Sequence, residues 1–457
     1  MKIKLFGRIN QTTVSPLGEF ENGDVQLSCF VQTHKVKLGQ NPHPHASDED
    51  IDRQYAVFAF AVPRSDWQRI AGFDAQPFDL RWFDIVLETG VHGPEITVLG
   101  DGDLPEVPFH LVKAAPVSEA QELSLNNLVA APFRGRGASE AEIRRLIDEA
   151  LSSASELDAS VVDVGQASLV ALHGVGEWPS MYFDLGWPTN YNPDTPPKVR
   201  PALRDDGALV ILSHWDWDHW GLARKKNGWS KVKNCWRISW DDIALNRPWI
   251  VPGVGNAWGG VKICPLDWRL ALALSRKKRF YRWPAMLNDL HLDRLSIYRP
   301  SGGKRGDVNQ HGLVVVVDNL AANKRIGTEP RAMLFPGDAD YVHLPFMKAD
   351  AALKYTFSGL AATHHGADFT RSSIPLPDFP AVLAYSVGRG NSYSHPVKGA
   401  QIAYLNAGWD VHAHTTNRVR RSGAGGHCVN DGGVLLSTQT NRVLPGTGSG
   451  AFWLGKQ

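Results

Sequence analysis

The sequence predicts a mixed α/β chain in two unequal parts: a smaller β-rich region over residues 1–130 and a larger layered α/β domain over residues 158–457, with a linker and helix at 131–157 between them. Three observations lead there. Short apolar runs alternate with turn signals through the first part. A helix start follows a Gly/Arg-rich break at Pro132–Gly137. Beyond it, short apolar runs each end in a polar or Gly-bearing turn, the pattern of buried strands that carry polar residues to a sheet edge.

In the first part, Val57–Val62 and Phe83–Leu87 read as strands. Between Asn41 and Asp48, His43 and His45 lie two apart in a Pro-rich stretch, which reads as a solvated loop rather than a metal site. No chemistry is legible before residue 130, so this part is expected to be an accessory module that senses or binds a protein partner. Pro132–Gly137 reads as a linker. Ser139 and Glu142 then form a capping-box pattern, and Ile143, Leu146, Ile147, Ala150 and Leu151 recur at helical spacing. Ser160–Gln166, Met181–Gly186 and Ala208–Ser213 follow as strands with polar ends.

Composition narrows the function classes. Lys and Arg number 48 against 47 Asp and Glu, so the net charge of +1 gives no global attraction to nucleic acid or membrane, and local patches must carry any such role. The 16 tryptophans read as core before they read as stacking surfaces. Cys29, Cys235, Cys264 and Cys428 lie far apart, which argues against a zinc ribbon or disulfide framework and fits a reducing compartment. The start of the chain lacks a secretory apolar run, and Leu313–Val317 falls far short of the roughly 20 residues that cross a bilayer. A cytoplasmic protein with no membrane partner is the expectation.

The strongest signal is Ser213-His214-Trp215-Asp216-Trp217-Asp218-His219-Trp220-Gly221. Four ligand-type side chains fall within six residues, directly after an apolar strand. Imidazole and carboxylate suit zinc, manganese or iron, and a tight loop can aim one pair at one ion and the other at a second ion roughly 3.5–4 Å away. The competing reading is a polar strand-to-helix turn with Asp216 or Asp218 as the N-cap. Further ligand types follow in order: Asp338 after the apolar run Ala332–Leu334, His364 and His365 before Gly366, and Asn391, Tyr393 and His395 in one polar loop. Each motif alone is weak; together they present His and Asp repeatedly to one sheet edge.

His-Trp-Asp-Trp-Asp-His resembles the His-x-His/Asp-x-Asp-His signature of the metallo-β-lactamase superfamily. The ComEC-type competence proteins are similar there, at Asp163–Gln166, at Gly337-Asp338, at His364–Gly366 and at Ser386–Pro396, over roughly residues 158 to 445. The resemblance implies an αββα sandwich holding two divalent ions, Zn or Mn. His214 and Asp216 would serve one ion and Asp218 and His219 the other, with Asp338 bridging. His311 is the candidate for the middle histidine, and one of His364 and His365 would close the second shell. Leu222, Ala167-Ser168 and Ala367 depart from the ComEC pattern without removing a ligand. Nothing here resembles the ComEC membrane channel, so DNA uptake is not expected.

Such a site would generate hydroxide between two cations for hydrolysis, with Asp218 orienting it and His395, Tyr393 and Asn391 as candidate donors to a phosphate oxygen or leaving group. Two basic, aromatic-laced stretches favour a nucleic acid or nucleotide substrate: Arg224–Lys233, with Lys225 and Lys226, and Ser275–Trp283, with Arg276, Lys277, Lys278 and Arg279. Arg418, Arg420 and Arg421 form a third, weaker cluster. The leading expectation is therefore a phosphodiesterase, foremost a nuclease, of the kind a defence or stress system would keep under control. The alternatives are a hydrolase of a small phosphodiester or cyclic nucleotide, and a regulatory binding protein whose metal site is structural.

Overall fold

The computed structural model describes residues 1–10, 24–32, 42, 46–76, 81–99, 107–174, 177–188, 195–197, 200–204, 207–230, 235–319, 331–348, 351, 355–415, 419–422, 428–431 and 433–438. His43, His45, Lys231, Lys233 and Arg418 lie outside the described residues, as do the side chains of Arg420 and Arg421. The fold is mixed α/β, with more strand than helix and several sheets.

The strands β1 (Lys2–Ile9), β2 (Asp24–Val31), β3 (Val57–Pro63), β4 (Phe83–Thr89), β5 (Thr97–Val98) and β6 (Phe109–Pro116) form an antiparallel sheet in the order β5-β3-β2-β1-β4-β6. Its helices are α1 (Asp48–Gln54) and α2 (Arg64–Ala71). The run Val57–Val62 is apolar throughout because both faces of β3 are covered. Val57, Ala59 and Ala61 enter one core, while Phe58, Phe60 and Val62 enter another.

After α3 (Glu119–Val129), α4 (Glu140–Ala150) begins where the sequence places it. Ser139 Oγ accepts from Glu142 N at 3.2 Å, and Ile143, Leu146 and Ile147 are buried. The chain continues through β7 (Asp158–Val161), β8 (Val170–His173), β9 (Pro179–Phe183), β10 (Leu209–Ile211), α5 (Trp217–Trp220), β11 (Arg224–Ser230), β12 (Cys235–Trp240), α6 (Asp242–Leu245), β13 (Trp249–Val251), α7 (Pro265–Arg276) and β14 (Phe280–Arg282). The next strands are β15 (Asp289–His291), β16 (Leu295–Tyr298), β17 (Val314–Val317), β18 (Arg331–Phe335), β19 (Thr356–Ala361) and β20 (Pro377–Tyr385). The last elements are α8 (Lys398–Asn406), β21 (His412–His414), β22 (Val419–Ser422), β23 (Cys428–Asp431) and β24 (Val434–Leu436).

Among the described residues two seven-stranded sheets arise, in the orders β14-β13-β10-β9-β8-β7-β24 and β15-β16-β17-β18-β19-β20-β21. They share a core: Val161, Leu172, Phe183 and Ile211 from the first meet Val315, Val317, Met333, Phe335 and Val382 from the second. The alternate residues Val314 and Val316 face the other way, into a cluster with Ala400, Ala403 and Tyr404 of α8. The outer face of the first sheet, with Tyr182, Val210 and Trp249, packs with α7 and with Phe6, Phe30 and Val57 of the N-terminal sheet in one continuous cluster.

Register decides where the polar turns go. β9, β10, β13 and β14 are mutually parallel, so their C-terminal ends lie at one edge. β18, β19, β20 and β21 are likewise parallel, and the antiparallel pairing of β16 with β17 and of β17 with β18 brings the 299–313 loop to the same end as Phe335. The turns after β7, β10, β18, β19 and β20 carry the motif residues, the end of β7 lying at the same edge as that of β9.

α7 is tied to the N-terminal sheet and to the motif helix α5. Leu266 N donates to Ser28 Oγ at 3.0 Å, and Arg8 Nη1 donates to Ile263 O at 2.9 Å. The Asp267 carboxylate accepts from Cys264 N at 3.1 Å and from Trp220 Nε1 at 2.9 Å. Burial pushes its pKa up to about 7, against the opposing effect of those two hydrogen bonds. A carboxyl that holds its proton more tightly when folded adds stability that is fully present below the ordinary value of 3.8 and is lost as pH rises to about 7. The unfolding free energy of the parent relative to Asp267→Asn is expected to fall by roughly 3 kcal/mol between pH 5 and pH 8. Denaturant titration of metal-free protein measures it, and a difference independent of pH would show that Asp267 stays ionised. No helix among the described residues is long and apolar enough to cross a membrane.

Candidate metal centre

β10 ends at Ile211, and the chain turns through Ser213-His214 into α5, which opens at Asp216. The Asp216 carboxylate accepts from Trp217 N at 2.7 Å and caps that helix. The short helix then carries Asp218 and His219 inward, both buried. Trp217 and Trp220, on the same turn, go into the core shared with the N-terminal sheet. The motif thus has two sides, ligand-type groups toward the edge of the sheets and indoles toward the core.

Six of the motif side chains meet there. Asp338, in the turn after β18, receives His219 Nε2 at 3.1 Å on Oδ1, and His214 Nε2 and His364 Nδ1 at 3.5 Å each on Oδ2. Asp218 receives His365 Nε2 at 3.2 Å on Oδ2 and His219 Nε2 at 3.8 Å on Oδ1. His214, His219 and Asp338 form one group able to hold a metal ion, and Asp218, His219 and His365 a second, so His219 belongs to both. The adjacent histidines part company: His364 serves Asp338 and His365 serves Asp218. Both sit in the left-handed region, at φ 45° and 58°, where a non-glycine residue costs on the order of 1–3 kcal/mol.

Hydrogen bonds behind the histidines set their tautomers. Ser213 Oγ donates to Asp184 Oδ2 at 2.9 Å, leaving its lone pairs to accept from His214 Nδ1 at 3.0 Å. His219 Nδ1 donates to Asp184 Oδ2 at 2.7 Å. His365 Nδ1 donates to Ser386 O at 2.9 Å. In all three rings Nδ1 therefore carries a proton, and Nε2 is the atom turned toward the carboxylates, the one left to ligate a metal once it gives up any proton of its own.

Electrostatics follow from burial and crowding. Burial, reinforced by His219, lowers His214 to about 3, so it is neutral. Burial also pushes His219 down, but Asp338, Asp184 and Asp218 outweigh it and leave it well above its ordinary value. Desolvation would raise Asp338, yet His364, His219 and His214 hold it well below the usual carboxylate range. Three of the converging atoms, His214 Nε2, Asp218 Oδ1 and His219 Nε2, are fully buried and make no well-formed hydrogen bond. Buried carboxylates and polar atoms left in this state are costly unless a cation satisfies them. The donor set fits a metal.

Other expected residues fall elsewhere. Asp216 lies outside both ligand groups, engaged as a cap. His311 also lies outside them: its Nε2 contacts Lys304 O at 3.2 Å and its ring lies over Gly259. Asn391 is engaged within its own loop, donating to Gly388 O and His395 O at 2.9 and 2.8 Å and accepting from His395 N at 2.9 Å. That clamp fixes His395, which is buried, accepts from Gln166 Nε2 at 3.0 Å and packs 5.8 Å from the His364 ring. Tyr393 stacks on His395 at 5.7 Å and accepts from Gln26 Nε2 at 3.1 Å.

Of the basic residues, Lys225 and Lys226 are exposed on β11. Arg276 is committed to Ala46 O and to Asp48, at 3.1 Å, and Lys277 contacts Asn246 at 3.3 Å. Arg276, Lys277, Lys278 and Arg279 precede β14, so they sit at the strand end opposite the one that carries His214–His219. Three residues outside the motifs complete the surroundings: Asp184, Gln26 and Asp307. Asp307 is pushed up to about 7, chiefly by burial, and lies within electrostatic reach of His364. Its sequence signal is Gly306-Asp307, the same dipeptide as Gly337-Asp338.

No known family model matches the chain, and no curated protein matches it.

Proposed function

We propose that this chain is a metal-dependent phosphodiesterase of the metallo-β-lactamase type, with nucleic acid as the favoured substrate and two divalent cations, zinc or manganese, as cofactors. The observation that carries the reading is the meeting of two buried His/Asp groups through the shared His219. We read the two seven-stranded sheets, with helices against their outer faces, as the αββα sandwich of that superfamily. His214 and Asp338 would hold one cation and Asp218 and His365 the other, with His219 available to either and His364 supporting Asp338. When bound, two such ions acidify a water and polarise a phosphoryl oxygen.

The protein's own groups do the rest. Asp184, Ser213 and Ser386 O hold the Nδ1 sides of the three rings and so keep their Nε2 atoms aimed inward. Asp218 is placed to accept a proton from the attacking water. His395 accepts from Gln166 on Nδ1, which puts its ring proton on Nε2, and it is the candidate donor to the leaving oxygen. Asn391 positions His395 rather than touching substrate.

The test is cleavage of single- and double-stranded DNA, RNA and a generic phosphodiester with Mn²⁺, Zn²⁺ or Mg²⁺, against Asp218→Ala/His219→Ala as blank. Metal-dependent polymer cleavage that disappears in the double variant is the expected result. Turnover of the small ester alone would favour a small-phosphodiester hydrolase. Absence of any variant-sensitive activity with every metal would sink the enzymatic reading in favour of a binding protein.

A further inference from the structure

The loop that leads to His214 has a second feature on its other side. Leu313 N donates to Ser213 O at 2.7 Å, which seats the 299–313 loop against the metal motif. Upstream, the same loop lines an open cleft with a cavity volume of about 370 Å³, formed by Asn256, Gly259, Gly260, Gly303, Arg305 and His311. That volume lies in the range of small-ligand sites. Its floor is backbone. Gly259 and Gly260 have φ of 60° and 81°, and a β-carbon on them would lie 2.0 Å from His311 Nε2 and 2.9 Å from Arg305 Cγ. Only glycine lets these two side chains lie down on the chain there.

The surroundings are cationic. Arg305 Nη2 donates to Asn256 at 3.3 Å, which aims the guanidinium along the cleft. Lys262 feels repulsion from Arg8 and Arg305, offset by Glu122 at 3.6 Å. His311 feels Arg299 and His343. The loop therefore joins the two sides: Arg305 and His311 lie on the cleft, Asp307 between them in sequence is within electrostatic reach of His364, and Gly312 beside His311 packs against Ser213 O and His214 Cβ.

We propose that this cleft holds the phosphate next to the scissile one on a nucleic-acid strand, with Arg305 as its charged contact and Asn256 and His311 as its polar ones. The inference rests on the phosphodiesterase reading and names the substrate track for it. It also moves that track from the 276–279 run, at the opposite strand end, to the 256–311 side of the site.

The test uses the full chain, a labelled single-stranded oligonucleotide of about a dozen nucleotides, and bis(p-nitrophenyl) phosphate as a small ester. Oligonucleotide binding is read by anisotropy in chelator over a salt series, and turnover of both substrates is read with Mn²⁺. Arg305→Ala is expected to weaken oligonucleotide binding by about 10-fold and to flatten its salt dependence. Its loss in kcat/KM on the oligonucleotide should exceed that on the small ester by about 10-fold, with Arg305→Lys recovering most of it. Unchanged oligonucleotide affinity, or an equal loss on both substrates, overturns the inference and leaves the phosphodiesterase intact. So does a parent that turns over the small ester but binds no oligonucleotide. A parent inactive on both substrates instead removes the reading on which it rests.

Discussion

Asp338→Ala is expected to lower metal-dependent phosphodiester turnover by on the order of 10²–10³-fold, the effect of removing one preorganised charge from an active site. No other carboxylate in the centre is contacted by three imidazoles. Its two oxygens sit 3.1 Å from His219 and 3.5 Å from His214 and His364, so its loss leaves three ring nitrogens facing one another without a counter-charge. Metal retained after dialysis should fall in step with activity, which elemental analysis measures. Asp338→Asn separates charge from shape: it keeps the volume but cannot balance a cation, and should resemble alanine in activity while keeping more stability. Full metal content in both variants would mean that Asp338 is a structural partner of the histidines.

The second large effect is expected from a residue that lies outside both ligand groups but holds the histidine they share. Asp184, with φ 63°, accepts from Ser213 N at 2.7 Å, Ser213 Oγ at 2.9 Å and His219 Nδ1 at 2.7 Å. Asparagine tolerates the same left-handed backbone and can still accept from Ser213 N. Its amide nitrogen, however, would face His219 Nδ1 and demand a lone pair there, moving the ring proton to Nε2. Asp184→Asn should therefore fold and yet bind a divalent cation about 10–100-fold more weakly, the usual cost of losing an outer partner of a ligating histidine. Competition against a metal-sensitive dye measures it. Parental affinity would show that His219 chooses its tautomer without Asp184.

Much of the centre was legible because its residues arrive as compact motifs at the ends of short apolar runs. Ala208–Ser213, Met181–Gly186 and Ala332–Leu334 each overlap a strand, and the polar residues after them converge. What sequence leaves open is the direction of single side chains. Asp216 had two readings, ligand and helix cap, and takes the cap because α5 begins one residue later. His311 has the right position along the chain, but the turn at 309–311 lays its ring on Gly259. Arg276–Arg279 reads as a track beside the motif until the parallel register of β10, β13 and β14 puts it at the far strand end. Asp184 looked like a strand terminus, because its role depends on a long-range meeting with His219. Sequence could not foresee that the first part of the chain would reach the site, through Gln26 on Tyr393.

That last contact, and the core beneath it, govern how the protein comes apart. Trp215, Trp217 and Trp220 of the metal motif lie in the same cluster as Phe6, Phe30 and Val57, with Trp268 of α7 among them. No plane of weakness separates the N-terminal sheet from the indoles that seat the ligands. Shortening the chain to residue 131 onward would uncover Trp268, whose ring packs 5.2 Å from Phe30 and 5.7 Å from Tyr55, so the isolated remainder should be an aggregating fragment. The two parts should melt as one cooperative unit, and damage to β1–β3, far in sequence from any ligand, should be felt as lost metal affinity.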